Sequence, residues 1–190
     1  MKKTFLTLFF IILSTNLYAS NIKKVYFAGG CFWCMEESFD KVEGVIETIS
    51  GYSGGHVKNP KYKDVVKNTT GHYETLEITY DPSITNFEKL LEIFWVNIDP
   101  FDADGQFCDK GESYKSVVFY ENSDQKKIIK TSIKNIENKF NKKVVTYVKN
   151  FKEFYMAETY HQDYYEKNFI RYLMYKKGCQ REEVLNKIWG

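Results

Sequence analysis

Segments with the two-residue period of a β-strand alternate with segments of helical period along most of this chain. Predicted strands cover residues 23–28, 45–52, 72–80, 114–120 and 144–148. Predicted helices cover residues 31–40, 62–67, 123–140, a segment from a capping box at 85–88 to about residue 98, and part of the chain beyond residue 150. We expect Thr85 and Ser123 to cap the two helices that they precede or begin. Alternating strands and helices pack as layers, so the sequence predicts an α/β or α+β two-layer sandwich.

The length of 190 residues suits one domain with a sizeable core and is too short for two ordinary domains. We therefore predict a single domain over residues 20–190 that ends in a mobile C-terminal tail. Residues 99–113 form a long polar loop with two glycines and one cysteine. Long loops of this kind in compact domains are often functional.

The first residues have the pattern of a targeting segment. Lys2 and Lys3 precede a nine-residue apolar run, Phe5 to Leu13, which is too short to span a bilayer. We predict a signal peptide over residues 1–19, cleaved after Ala19, and export to a compartment such as the periplasm, with a membrane anchor if cleavage does not occur. Its removal takes two of the 27 basic residues and leaves 25 basic and 25 acidic ones. A chain without net charge gives no reason to expect nucleic-acid binding.

The four cysteines leave several kinds of chemistry open. Cys31 follows two glycines at the predicted start of a helix, where backbone N–H groups stabilise a thiolate, so a nucleophile is expected there. Cys31 and Cys34 also form a CxxC pair, which suits a dithiol. Two structural disulfides are a further possibility, although a domain of this size does not need them. A zinc site would need a second ligand pair at suitable spacing, and the sequence has none.

Six segments between residues 24 and 189 resemble, in order, the motifs of the peptide methionine sulfoxide reductase family, A type, which acts on the S epimer. They are GGCFWCMEESFDKVEGV, SGYSGGHVKNPKY, TGHYETLEITYDP, FWVNIDP, GQFCDKGESYKS and FYMAETYHQDYY. The resemblance implies a two-layer sandwich around a mixed sheet and a single catalytic domain. It also implies thiol-dependent reduction of peptide-bound and free methionine S-sulfoxide in oxidised proteins and peptides, which is a repair activity.

The resemblance implies roles for seven residues. Cys31 matches the nucleophile, and Glu74 matches the residue that gives a proton to the departing oxygen. A carboxylic acid with a raised pKa suits that task, because a sulfoxide oxygen leaves poorly unless protonated. The remaining matches are Phe32 and Trp33 as the methyl-binding wall, Tyr62 and Tyr114 as hydroxyl donors, and Asp109 as an acidic residue near the site.

Attack by the Cys31 thiolate would leave a sulfenic acid, which a second cysteine usually converts to a disulfide. The family resemblance implies no bound cofactor and an external thiol donor such as thioredoxin. Cys34 replaces the glycine usual in GCFWG, and Cys108 lies in the long loop, so the resolving cysteine is open. We rank Cys179 first, Cys34 second and Cys108 third, and a structural role for any of them stays open.

Two other interpretations remain. A thioredoxin-like CxxC oxidoreductase would need a cis-proline leading into a strand beside the dithiol, and none of the three prolines has that position. An exported peptide-binding module with structural disulfides would leave Glu74 unexplained. His72 and His161 receive no role, and three scattered histidines do not predict a metal site. We expect a monomer.

Overall fold

The computed structural model describes residues 21–190, so the predicted signal peptide lies outside the described residues. Six strands form a main sheet in the order β7-β6-β1-β3-β2-β8, and β4 and β5 form a separate hairpin. The β6–β7 pair is parallel and the other pairs are antiparallel, so the sheet is mixed. The strands are β1 Lys23–Ala28, β2 Val45–Ser53, β3 Tyr73–Tyr80, β4 Gly105–Gln106, β5 Asp109–Lys110, β6 Val117–Tyr120, β7 Tyr147–Asn150 and β8 Phe154–Met156.

Helices pack on one face of the sheet and also form the C-terminal segment. They are α1 Phe32–Phe39, α2 Tyr62–Val65, α3 Phe87–Val96, α4 Ser123–Phe140, α5 Tyr164–Lys167, α6 Phe169–Gly178 and α7 Arg181–Trp189, with single 3-10 turns at Glu112–Tyr114 and Thr159–His161. The main core joins Phe27 and Leu76 of the sheet to Phe39 of α1 and Phe94 of α3, all four fully buried. The predicted two-layer sandwich around a mixed sheet is confirmed.

Both predicted helix caps are wrong by one residue. The side chain of Asn86, not Thr85, accepts a hydrogen bond from Lys89 N at 2.9 Å. Similarly, Asn122 rather than Ser123 accepts from the N–H groups of the first turn of α4. In each case the asparagine holds the extended backbone that a cap residue requires, while the neighbouring hydroxyl residue does not cap.

Two predicted strands begin later than expected. The strand predicted at 114–120 begins at Val117, because Tyr114 belongs to a 3-10 turn. The strand predicted at 144–148 begins at Tyr147, where parallel pairing with Val117 sets its register. Strand β8 was not predicted, and the hairpin β4–β5 lies within the predicted loop.

The predicted C-terminal tail folds as α6 and α7 against the sandwich. Trp189 Nε1 donates a hydrogen bond to the carbonyl of Ile98 at 3.0 Å, and Arg181 is 3 % exposed. Motion of this segment stays a prediction. Among residues 21–190, no helix has both the length and the hydropathy needed to cross a bilayer.

Candidate active site

The turn from β1 into α1 positions Cys31. Gly30 has φ +81°, a conformation that favours glycine, and a Cβ there would come within 2.5 Å of Gln106 Cβ. Cys31 follows as the N-cap of α1, and its carbonyl accepts hydrogen bonds from the N–H groups of Cys34 and Met35 at 3.2 and 3.3 Å. Its side chain is therefore held at the helix start and is 4 % exposed.

Glu74 reaches the same helix start from β3. Its Oε2 accepts a hydrogen bond from the backbone N–H of Phe32 at 3.1 Å, although residues 32 and 74 are far apart in sequence. The residue is 2 % exposed. Burial raises the pKa of this carboxyl well above its ordinary value, because desolvation outweighs the opposing effect of the Phe32 N–H. Burial thus favours the protonated form of Glu74, which is the form able to donate a proton.

A small cavity of about 60 Å³ lies between these groups. All seven residues predicted for catalysis and substrate contact line it, together with one residue that the sequence did not predict. They are Cys31, Phe32, Trp33, Tyr62, Glu74, Asp109 and Tyr114, with Tyr175 as the addition. A groove of about 700 Å³ between α3 and α4 is larger, but no cysteine borders it and its two acids lie on exposed positions of α3. The chemical groups thus converge on the smaller cavity.

Two tyrosine hydroxyls face the cavity as donors. Tyr62 and Tyr114 both line the cavity. Burial raises the pKa of both, that of Tyr62 to about 12, so both keep their protons at neutral pH. Glu158 holds Tyr62 in place, because its Oε1 accepts a hydrogen bond from the backbone N–H of Tyr62 at 3.0 Å. The other carboxylate oxygen, Oε2, accepts a hydrogen bond from the Tyr52 hydroxyl at 2.9 Å.

The aromatic wall of the cavity is held from behind. The indole of Trp33 stacks on Tyr164 with ring centroids 3.8 Å apart. His161 is 1 % exposed and packs against Phe32 and Tyr62, with centroids 5.0 and 4.4 Å away. Burial lowers the pKa of His161 to about 4, so its ring is neutral at neutral pH. His161 thus contributes an uncharged ring to the packing behind the wall.

The two thiols of the CxxC pair are both free and buried. Burial raises the pKa of Cys31 well above its ordinary value. Interaction with the neighbouring Cys31 thiol lowers the pKa of Cys34 to about 7 against the effect of burial, and the positive charge of Arg181 lowers it further. Burial therefore opposes the thiolate that the helix start is expected to stabilise, and a Cys31 thiolate stays a prediction.

The other two cysteines form a disulfide. Cys108, which is exposed, bonds to Cys179, with Cα atoms 4.9 Å apart. The ligand atoms of Cys108, Asp109 and Cys179 lie within 4.8 Å of one another, and in residues 21–190 no other cluster has three or more residues suited to hold a metal ion. Because the two sulfurs bond to each other, neither offers a thiolate to a metal in this state.

Comparison with known proteins decides the family of the chain. A family model described as peptide methionine sulfoxide reductase matches residues 23–190. The chain belongs to this family. The peptide methionine sulfoxide reductase MsrA 2 of Staphylococcus aureus is 48% identical over 165 residues, which cover 86% of this chain and 93% of the relative.

Solved structures give the same result for the fold. The reduced form of Mxr1 from Saccharomyces cerevisiae superposes with a TM-score of 0.72 at 30% identity, covering 77% of this chain and 86% of the other. A second structure, Mxr1 in complex with Trx2, has a TM-score of 0.51 at 22% identity, covers 75% and 84% of the two chains, and supports the fold alone. The chain is thus a thiol-dependent methionine sulfoxide reductase, an oxidoreductase of protein repair, and not a thioredoxin-like oxidoreductase or a binding module.

Several residues of this reductase site were missed by the sequence analysis. Tyr175 lines the cavity, and its hydroxyl donates a hydrogen bond to Asp109. Glu158, His161 and Tyr164 support the wall, as described above. The last three lie in the quoted segment FYMAETYHQDYY, so the signal was present in the motif, but their partners become visible only when this segment folds back onto α1.

Proposed function

We propose that this reductase converts the S epimer of peptide-bound and free methionine sulfoxide to methionine, with Cys31 as nucleophile and Glu74 as proton donor. The observation that carries the proposal is the buried carboxyl of Glu74, which accepts a hydrogen bond from Phe32 N–H at the helix start that presents Cys31 and whose pKa is raised by burial. A buried acid beside a thiol provides both groups that reduction of a sulfoxide needs.

The first step transfers oxygen from the substrate to Cys31. As the sulfur of Cys31 attacks the sulfoxide, the proton of Glu74 passes to the sulfoxide oxygen, and the proton of the Cys31 thiol restores the carboxyl. The products are methionine and a Cys31 sulfenic acid, so the substrate is reduced by two electrons and the cysteine is oxidised by two. Tyr62 and Tyr114 donate hydrogen bonds to the sulfoxide oxygen while charge develops on it. Phe32 and Trp33 bind the methyl group.

We favour Cys34 as the residue that resolves the sulfenic acid. Cys34 attacks the Cys31 sulfur, a disulfide forms, and the hydroxyl group leaves as water after it takes up a proton. Cys31 and Cys34 are both free and lie in one buried cluster, and the lowered pKa of Cys34, about 7, also supports this step. Cys179, ranked first from the sequence, is bonded to Cys108, so that ranking stays an untested prediction and a less direct route.

A thioredoxin-like protein returns the enzyme to its dithiol state, and we propose no bound cofactor and no metal. A thiol-dependent reductase of this family needs an external dithiol to reopen its disulfide, which supports a donor of this class. The proposed substrates are oxidised proteins and peptides. We propose that the enzyme is exported, since residues 1–19 have the pattern of a signal peptide. We also propose that it is a monomer. N-terminal sequencing of protein from the native cell tests cleavage after Ala19, and light scattering tests the monomer.

One experiment tests the proposed activity. The full chain is incubated with a peptide that contains either the S or the R epimer of methionine sulfoxide, with a dithiol present, and the methionine peptide is quantified by chromatography. We expect reduction of the S epimer only and none with Cys31→Ser. Equal reduction of both epimers, or activity without Cys31, would contradict the proposal.

A further inference from the structure

Three successive residues at the tip of the β4–β5 hairpin contact the C-terminal segment. The ring of Phe107 lies under the guanidinium of Arg181, with 4.4 Å from Cζ to the ring centroid. Cys108 forms a disulfide with Cys179. Asp109 accepts a hydrogen bond from the hydroxyl of Tyr175. The hairpin and the segment are therefore attached to each other side by side, at the wall of the substrate cavity.

Only the last of these pairs reaches the cavity. Asp109 and Tyr175 both line it, and Cys108 and Cys179 are not among its lining residues. Cys108 directly precedes Asp109, while Cys179 ends the helix α6 that carries Tyr175. The disulfide thus connects the two backbones that supply one side of the cavity, without contacting the substrate position itself.

The hairpin has little of its own to hold Asp109 in place. Its strands contain two residues each, and a two-stranded hairpin of this length is marginal by itself. Gln106 fixes β4, because its side chain exchanges hydrogen bonds with the backbone of Asp99 at 2.8 Å. The β5 side is held within the same loop, by a hydrogen bond from Lys110 Nζ to Asp102 at 2.5 Å and one from Gly111 N to the carbonyl of Asp104 at 2.8 Å. The Asp109 side chain itself is held by the hydroxyl of Tyr175, which belongs to the C-terminal segment.

We infer that the Cys108–Cys179 disulfide positions Asp109 and Tyr175 in the substrate cavity, so that reduction of this bond weakens binding of methionine sulfoxide. The inference rests on the proposed function, because it assigns the cavity to that substrate. Reduction adds two electrons and two protons from a dithiol and leaves two thiols. The cysteines are 71 residues apart in sequence, so the bond removes much of the freedom that the hairpin and α6 would otherwise have relative to each other.

Binding to an inert form of the full chain tests the inference. In a Cys31→Ser background the attack cannot occur, and Cys34 has no free cysteine partner. A peptide that contains methionine S-sulfoxide is titrated into this protein by calorimetry, first with the disulfide intact and then after anaerobic reduction verified by thiol counting. We expect Kd to rise by about 5- to 20-fold on reduction, the size expected when one polar contact to a ligand is misplaced.

Two further variants in that background separate positioning from general stability. With Cys108→Ser and Cys179→Ser together, Kd should be raised already and should not respond to the dithiol. With Asp109→Asn, reduction should have a clearly smaller effect, because the group that the disulfide positions is altered. A disulfide that only stabilises the fold would lower Tm and leave Kd unchanged at a temperature where both forms are folded.

The outcomes are distinguishable. An unchanged Kd on reduction, or an undiminished effect in Asp109→Asn, would overturn the inference and leave the proposed function intact. Absence of any binding by the Cys31→Ser protein in both redox states would overturn the proposed function and this inference with it.

Discussion

Glu74→Gln removes a proton and little else, which makes it the sharpest test of the mechanism. The amide keeps an oxygen where Glu74 Oε2 accepts from Phe32 N–H at 3.1 Å, so the helix start and the fold should be preserved. A positioned general acid contributes about 10²- to 10⁴-fold to a rate. We therefore expect turnover to fall by about 10²-fold or more, which corresponds to an increase of at least roughly 3 kcal/mol in the activation free energy.

The sign of the pH dependence follows from burial. The pKa of Glu74 is raised in the folded protein, so wild-type turnover should decline as the pH rises through that raised pKa and the acid is lost. The folded protein also keeps a proton that the unfolded chain releases. The stability that Glu74 provides is complete below its unfolded pKa and is lost as the pH rises toward its folded pKa. Glutamine has no such titration, so Glu74→Gln should gain stability relative to the wild type as the pH rises.

The assays are single-turnover methionine release and denaturant unfolding, each measured from mildly acidic to alkaline pH. Glu77→Gln is the matched control, because Glu77 is a buried acid three residues later on the same strand, paired with Lys24 at 2.6 Å and distant from the cavity. It should keep its turnover. Wild-type turnover in Glu74→Gln at neutral pH, or an equal loss in both variants, would refute the role of Glu74 as acid.

Five other substitutions test the thiols. Cys31→Ser should abolish methionine formation, because a hydroxyl lacks the acidity and polarisability for attack at sulfur, and chromatographic detection of product would contradict this. Cys34→Ser should release one equivalent of methionine in a single turnover but lose turnover driven by a thioredoxin-like donor; if Cys179→Ser shows that loss and Cys34→Ser does not, Cys179 is the resolving residue. Arg181→Met should raise the pKa of Cys34, measured by the ultraviolet absorbance of the thiolate, and Arg181→Lys should bring this pKa largely back to the wild-type value. An equal pKa of Cys34 in the wild type and both variants would exclude the charge of Arg181 as the cause.

The local sequence pattern was sufficient to predict the bounds of an element wherever a single hydrophobic period, that of a strand or that of a helix, dominated the segment. Strand β1 and helix α4 have the predicted bounds residue for residue, because alternation and helical spacing are uninterrupted there. The errors fall where two neighbouring residues compete for one role, as Thr85 and Asn86 do at the cap of α3. They also fall where long-range pairing sets the register, as for β7, whose start depends on β6.

The active site likewise contains residues that local motifs predicted and residues whose contacts depend on long-range folding. Motifs brought the seven lining residues together correctly, since each motif is local in sequence. The contacts of Tyr175 and Arg181 depend on how the C-terminal segment folds back, and no local pattern encodes that path. The raised pKa of Cys31 could not be predicted from a helix start, because it results from burial by residues distant in sequence.

Burial disfavours the charged forms of three groups at the site. It raises the pKa of Glu74 and of Cys31 and lowers that of His161, in each case because the charged form would be desolvated. A sulfoxide is uncharged and polar, so it can enter this cavity without bringing an ion out of water. Charge then appears only as the proton moves from Glu74 to the sulfoxide oxygen, within reach of the tyrosine hydroxyls that can stabilise it. The same burial that costs the fold stability at alkaline pH thus restricts the chemistry to a bound substrate.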